Sequence, residues 1–425
     1  MDPTAIHIFR RDLRLDDNTS LNSLKDEVVL PIFIFDPVQS SKNPYFSAPA
    51  FELLCGALLE IKPLILYGNP SEEIRKLIEK FPTIRKVSFN RDYTPYSKLR
   101  DSKIHETVTS LGRECLIHDD ALLVTPEAGL KDDGTPYTVF SPFFKRNRKK
   151  EVPRPQTSKI RFSPYKFEFA PDKIRLGRSK ALDILKNIQR FREYKYERNI
   201  PSLSATSKLS AHHKFGTVSI RESYHAIVSA FGPDHHMIQE LYWRDFFHHI
   251  GFNFPHVFKG AFQKRYDNIA WSENEEHFKR WCNGETGFPI VDAGMRELNE
   301  TGFMHNRVRM IVASFLCKDL HISWRWGERY FANKLVDYDP CVNNGNWQWA
   351  ASTGCDAQPY FRIFNPWLQQ QKFDPDCIYI KKWVPELKNL SPKAIHSGDS
   401  NSSYIKPVVD HSTASSKAKE LFSRL

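Results

Sequence analysis

Residues 324–366, WRWGERYFANKLVDYDPCVNNGNWQWAASTGCDAQPYFRIFNP, concentrate Trp, Asn, Asp and Arg where a core helix would carry Leu and Val. Burying so many polar tips is unfavourable by roughly a few kcal/mol for each one left without a partner. Indoles and amides in such number suit a large, flat, polar ligand held against aromatic rings. Two other stretches carry mixed chemistry at helical spacing. In QELYWRDFFHH, Glu240, Trp243 and Arg244 fall at i, i+3 and i+4 and so share one helix face. In MHNRVRM, Asn306, Arg309 and Met310 share a face while Arg307 points elsewhere. One such face alone reads as a surface ion pair beside a core side chain. Two of them, beside the Trp/Asn cluster, point to a site.

The elements that must position these residues fall into two kinds. Over the first 125 residues, runs 5–9, 28–35, 63–67, 86–89 and 114–117 read as strands, with helices at 48–61, 72–80 and 96–111 between them. Ser71 is the expected N-cap of the second helix, with Glu72 and Glu73 complementing its dipole. Strands separated by helices imply an α/β domain with a parallel, doubly wound, Rossmann-like sheet. It lacks G-x-G-x-x-G, so dinucleotide binding there is unsupported. Residues 126–176 are rich in Pro, Lys, Arg and aromatic residues with little periodicity, and read as a basic inter-domain connector. From 177 to 425 the pattern is that of an all-α domain, with helices at 178–198, 219–231, 235–250, 290–300, 305–320 and 324–335. A polar tail from 397 ends in a helical-looking stretch, 415–425.

Charge narrows the partners. The formal net charge is +11, and residues 131–200 hold 19 Lys and Arg against 8 Asp and Glu. Such an excess favours a polyanionic partner. No apolar run reaches the roughly 18 residues of a membrane span, so no membrane association is expected. Arg10-Arg11 is not read as an export signal, because acidic residues follow where an apolar segment would be needed. Seven scattered cysteines without a C-x-x-C pair suit reduced thiols in a cytoplasmic protein, or a nuclear or organellar one in a eukaryote. The doublets His212-His213, His235-His236 and His248-His249 lack zinc spacing and read as surface or capping histidines; no metal is expected.

The blocks TGFPIVDAGMRELNETGFMHNRVRMIVASFLCKDLHISWRWGERYF and VDYDPCVNNGNWQWAASTGCDAQPYFRIFNP closely resemble the long signature of class I cyclobutane pyrimidine dimer photolyases, in the photolyase/cryptochrome family. The resemblance spans essentially the whole chain, from FRRDLRLDDN to PVVDHSTASSKAK. It implies a photolyase-type antenna domain at 1–125 and an FAD-binding catalytic domain at 177–425. It also implies light-driven repair of DNA, with an electron passing from excited, reduced, anionic FAD to a flipped-out dimer, ring splitting, and electron return. Tyr194, Thr206, Ser207, Leu209 and Ser210 match the segment that holds the FAD diphosphate, a task suited to hydroxyls and N–H groups at a helix start. Arg244 matches a flavin contact, Arg309 and Asp337 the salt bridge along the isoalloxazine, Asp339 an acid accepting from the flavin, and Asn343 the residue facing flavin N5. An amide at that last position cannot act as the acid that protonates N5, which suits a repair enzyme.

Glu240 and Asn306 match polar residues hydrogen-bonded around the lesion, with Glu240 placed to stabilise its radical anion. Met310, Trp243 and Trp349 match the walls receiving the dimer, and Trp347, Trp324 and Trp271 the relay that carries electrons to oxidised flavin. Trp326 is additional and has no assigned role. Arg198, Arg307 and Arg362 match DNA contacts, where guanidinium forks bind phosphates. The alternatives are a cryptochrome-type photoreceptor, against which Trp243 and the absence of a long C-terminal extension argue, and a (6-4) photolyase, which places histidines where Asn306 and Met310 stand. An antenna, a folate or a deazaflavin, is an open expectation, because CGALLEIKPLILYGNP lacks part of the family's helix before the third strand. A monomer without an obligate protein partner is expected.

Overall fold

The computed structural model describes residues 1–40, 42–165, 170–398 and 404–424. Internal packing divides it into two compact units, Met1–Arg192 with Ser207–Pro255, and Glu193–Thr206 with His256–Leu425. Packing therefore groups 126–192 and 207–255 with the sheet, whereas the sequence pattern sets its boundaries at 125 and 176.

The first unit is built on a wholly parallel sheet. Its strands are β1 (Ala5–Phe9), β2 (Val28–Phe35), β3 (Leu64–Tyr67), β4 (Lys86–Asn90) and β5 (Glu114–His118), in the order β3-β2-β1-β4-β5. That order reverses direction between β1 and β4, as in doubly wound folds. A short sixth strand, β6 (Arg161–Phe162), pairs with Val28 and Val29 of β2, and β3 pairs from Ile32 onward. Pro31, which has no N–H to give, falls between these two pairings. The strands bury Ile6, Ile8, Leu30, Ile32, Val87 and Phe89 against Ile74, Leu77, Ile78, Ile104 and Val108 of the covering helices. Arg14, in the opening RRDLRLDD, is buried; it donates to Asp120 and to the carbonyls of Asp17 and Gly216.

Several expectations are corrected in detail. Asn69, not Ser71, caps helix Pro70–Lys80; its side chain accepts from Ser71 N, and Pro70 starts the helix where no N–H is needed. The stretch read as a basic inter-domain connector with little periodicity contains β6 and also helix Phe140–Asn147, whose Phe140 and Phe143 pack on Phe246 of helix His236–Asn253. The helix expected at 178–198 is broken into Arg178–Lys186, a 3-10 turn Ile188–Phe191 and Tyr194–Glu197. Asn187 ends its first part by turning its amide onto the Asp183 carbonyl. His212, His213, His248 and His249 are buried, not superficial. His212 pairs with Thr217 and His213 with Ser223, and burial pushes His212 and His249 down to about 4, so these two sit neutral in the interior.

In the second unit, helices Pro289–Thr301, Asn306–Ser314, Trp324–Lys334 and Pro340–Ala351 surround one apolar core that includes Trp281, Val308, Phe315, Trp324, Phe331 and Trp347. The helix expected at 305–320 stops at Ser314 and continues as a π-turn, Phe315–Asp319. The final helix, His411–Ser423, begins earlier than the expected 415–425 because Asp410 caps it; Leu425 lies outside the described residues. Among the described residues, no helix is long and apolar enough to cross a membrane.

Candidate functional site

In the sheet-bearing unit, helix His236–Asn253 carries one of the mixed faces. Most of this helix is buried, yet Glu240, Trp243 and Arg244 are each only half-buried, as their shared face requires. Trp243 stacks on Phe140 with ring centroids 3.6 Å apart and planes 8° from parallel. That support comes from the helix absent from the sequence reading. Arg244 donates through both terminal guanidinium nitrogens, to the carbonyls of Ala121 (2.6 Å) and His213 (3.4 Å), which holds its head 3.6 Å from Asp245. Asp245 is fully buried, accepts from Val124 N, and is pushed up to about 7 by burial. Arg11, Arg14, Asp120, His213 and Arg244 line a small cleft in this unit.

The segment expected to hold a diphosphate enters the same unit at Ser207. Ser207 Oγ accepts from Leu209 N at 3.4 Å, and Leu209 is the N-cap residue of helix Ser210–Phe215. The N-cap Leu209 has no polar side chain with which to cap that helix start. Its N–H groups and the flanking hydroxyls suit an anionic oxygen.

In the helical unit, Asn306 is exposed and Met310 half-buried on their common face, with Asn306 Nδ2 4.0 Å from Met310 Sδ. Arg309, on the same helix, forms a two-pronged pair with Asp337 at 3.2 and 2.9 Å and donates through Nε to Met304 O. Asp339 is buried and caps helix Pro340–Ala351, accepting from Cys341 N and Val342 N. Asn343, one turn on, spends its amide N–H groups on the carbonyl (3.1 Å) and the side chain (3.0 Å) of Glu328. Its carbonyl oxygen is the group left to present. Glu328 is itself buried and pushed up to about 7 by burial, with the Asn343 bond opposing that shift. Sequence reading passed over Glu328, although it lies within WRWGERYF; its spacing from Asn343 spans two helices and gives no local signal.

Trp347 and Trp349, two residues apart, separate as expected. Trp347 is buried against Phe331 (4.9 Å between centroids), whereas Trp349 is half-exposed. Trp324 is buried in the same core, and Trp271 packs half-exposed at its edge against Phe422. Gly327 lets Trp347 approach: a Cβ there would lie 2.1 Å from its ring. Arg307 donates to Asn199 (2.7 and 3.3 Å) and lies over the Phe373 ring. Burial and the nearby Arg198 charge both lower its pKa. Arg198 is half-buried near the Tyr194 ring, and Arg362 is exposed in a turn after helix Pro340–Ala351. Thr206 is half-buried at the end of the short segment this unit takes from 193–206.

Comparison with known proteins is consistent along the chain. Residues 5–158 match the family model described as DNA photolyase, and residues 237–424 match the FAD binding domain of DNA photolyase. A deoxyribodipyrimidine photo-lyase of Alkalihalophilus pseudofirmus is 36% identical over 97% of this chain and 96% of its own. An archaeal photolyase from Sulfolobus tokodaii, solved with two FAD molecules, is 39% identical with a TM-score of 0.89, covering 99% of this chain and 100% of its own. A cryptochrome of Synechocystis is 28% identical with a TM-score of 0.88, covering 98% of this chain and 99% of its own.

Proposed function

This chain belongs to the DNA photolyase family, and we infer from that membership that it is a deoxyribodipyrimidine photo-lyase that repairs cyclobutane pyrimidine dimers with light. The observation that carries the reading is kinship to such enzymes over nearly the full length of both partners. FAD, when bound and reduced, supplies the light absorption and the electron.

The residues present fit that group. The helix start at Ser210, whose N-cap is the apolar Leu209 and which follows Thr206 and Ser207, suits the diphosphate, with Tyr194 earlier in the same segment. Arg309, tied to Asp337, offers a planar cation held by two bonds, and Asp339 a carboxylate rigidified as a helix cap. Asn343, its N–H groups engaged by Glu328, presents a carbonyl oxygen that would accept a hydrogen bond from flavin N5–H and is no acid to protonate it. Arg244, its guanidinium oriented by the Ala121 carbonyl, would add a further flavin contact.

For the lesion, Trp243, locked on Phe140, and Trp349 offer apolar walls with Met310. Asn306 offers hydrogen bonds to the pyrimidine carbonyls, and Glu240 steadies the charge that develops on them. Arg198, Arg307 and Arg362 bind phosphates, positioning the backbone without reading sequence. Trp347, Trp324 and Trp271 return electrons to oxidised flavin. The enzyme works as a monomer, in the cytoplasm or, in a eukaryote, in a nucleus or organelle. A folate or deazaflavin antenna would extend the light range without entering these steps.

The test is illumination of the flavin-reduced protein with blue light on DNA carrying cyclobutane dimers, beside a (6-4) substrate and a dark control. Light-dependent loss of cyclobutane dimers alone is expected. Repair of the (6-4) lesion would reassign the substrate, and a photoreducible protein that repairs neither lesion would be a photoreceptor.

A further inference from the structure

Lys318 is a buried cationic side chain that no step of the proposed reaction uses. It belongs to the π-turn Phe315–Asp319 and is wholly removed from solvent. Among the described residues its Nζ has neither a hydrogen-bond partner nor a counter-ion. It meets instead the Phe422 ring of the final helix, with Nζ 3.3 Å from the centroid. Phe422 in turn meets Trp271 edge-on at 6.1 Å and stacks on Tyr360 at 6.0 Å. The ammonium is therefore no farther from the Trp271 indole than its own spacing to Phe422 and that ring's spacing to Trp271 laid end to end. The final helix is tied to the turn by His411 on Asp319 and by His321 on Ala414 O at 2.9 Å, which keeps Phe422 in place.

We propose that Lys318 is a positioning residue of the electron relay, whose charge sets how readily Trp271 gives up an electron, so that photoreduction is held back while Lys318 is protonated and released when it is neutral. The proposal rests on the reading of Trp271 as the outer member of the relay. In the last hop Trp271 passes one electron to the Trp324 radical cation, which returns to neutral Trp324, and the positive charge moves to Trp271. With Lys318 protonated that charge arrives beside another one, and the buried setting screens their repulsion poorly. The neutral amine removes the repulsion. Trp271, half-exposed, then releases its indole proton to water, and an external thiol reduces the neutral radical. A unit charge at that separation, with an effective dielectric constant of about 20, shifts the equilibrium of the last hop roughly tenfold. Burial suits Lys318 to change state: it pushes the amine down from its ordinary 10.5 to about 7, and only a ring face offsets the lost water.

The other groups around the turn leave this task to Lys318. Cys317, pushed up to about 12 by burial, stays a thiol. Asp319 is pushed up to about 6 by burial but is paired with His411. His321, lowered by burial, is held on Ala414 O. The final helix turns Ala414, Ala418 and Phe422 inward and leaves Lys417, Lys419 and Glu420 exposed. Of the helices packed on the turn, Asn306–Ser314 brings the guanidinium groups of Arg307 and Arg309, and Pro340–Ala351 brings no charged side chain. Helix Trp324–Lys334 brings Arg325, Glu328, Arg329 and Lys334. Glu328 titrates in the same range but is bonded to Asn343, so variants at 318 separate the two.

The experiment is flash excitation of the protein loaded with oxidised FAD at a series of pH values, recording the yield of the long-lived tryptophan radical. Melting temperature and flavin content of each variant serve for normalisation. Trp271→Phe should remove the long-lived radical. If it does not, the relay reading itself fails, and the role of Lys318 fails with it for a separately identifiable reason. With Trp271 shown to be required, the wild-type yield should rise severalfold as pH passes through about 7. Lys318→Met, which removes the charge from a stem of similar length, should hold the high yield throughout. The NMR shift of the Lys318 Cε, assigned by its absence from the Lys318→Met spectrum, should titrate together with the yield, and this readout does not depend on electron transfer. Phe422→Leu, which opens the amine to water, should move both curves toward the ordinary lysine range. A rise retained in Lys318→Met, a Cε signal that titrates apart from the yield, or curves unmoved by Phe422→Leu would overturn the proposal.

Discussion

Asn343 shows how one residue's identity and its restraint act together. The amide is set by sequence, but its orientation is set by Glu328, whose backbone and side chain take up both N–H groups. Burial raises the Glu328 carboxyl from its ordinary value to about 7, so the folded protein holds a proton there that the unfolded chain releases near 4.5. The stability tied to that proton is fully present below about pH 4.5 and is lost as pH rises through about 7. Asp245, also pushed up to about 7, and Lys318, pushed down to about 7, titrate in the same range, so the bare profile is not diagnostic. The difference between the wild type and Glu328→Gln isolates the group. Between about pH 5 and pH 8 the wild type should lose on the order of 3 kcal/mol relative to the variant, read from denaturant melts. An unchanged difference would mean that Glu328 is ionised throughout. Trp243 tests the lesion wall. Trp243→Ala should weaken binding of dimer-containing DNA roughly tenfold or more, since stacking a base on an aromatic ring contributes about 1–3 kcal/mol. Equal affinity in a filter-binding assay would place the dimer elsewhere.

At the scale of elements, the helices hold the site by close approach as much as by capping. Helix Trp324–Lys334 reaches helix Pro340–Ala351 through Gly327, where an added Cβ would lie 2.1 Å from the Trp347 ring and 2.6 Å from Leu316. Gly327→Ala should therefore destabilise the protein by about 1–3 kcal/mol, the usual range for overpacking, and slow photoreduction by displacing Trp347. A variant with wild-type melting and photoreduction would mean that the two helices part freely. The same scale marks where sequence reading was weakest. The strands appeared with nearly correct bounds because alternating apolar runs between helices leave little choice. Helix Phe140–Asn147 was missed because its two apolar anchors, Phe140 and Phe143, sit among Lys, Arg and Pro. Trp243, Phe246 and His249, about a hundred residues away, make them a buried stripe. The buried histidines were misjudged for a related reason. Nothing within a doublet tells whether Thr217 or Ser223 will fold back to satisfy it.

At the scale of the molecule, the net charge of +11 accompanies guanidinium groups that crowd despite mutual repulsion, as Arg198 and Arg307 do. Such crowding is tolerated when a polyanion relieves it. DNA affinity should fall linearly on a log–log plot against salt, and Arg307→Ala and Arg362→Ala should each reduce that slope by about 1. A loss of affinity with an unchanged slope would mean that these residues contact bases and not phosphates. Arg307 also donates to Asn199 and covers Phe373, so some loss of stability is expected in its variant, whereas the exposed Arg362 should show the change in slope alone.

The sequence by itself determined the fold class and the chemistry on offer. The period of its apolar residues specifies a parallel sheet followed by helices, and Glu240, Trp243, Arg244, Asn306 and Met310 fall on shared faces through the arithmetic of 3.6 residues per turn. The long Trp- and Asn-rich signature fixed the family. Tertiary structure decided what holds those groups still. Glu328 on Asn343, Phe140 under Trp243, Asp337 across Arg309 and Phe422 between Lys318 and Trp271 each join residues from different elements. Local pattern reports which face a side chain takes. Its partner depends on how the helices pack, and that is fixed only when the whole core closes.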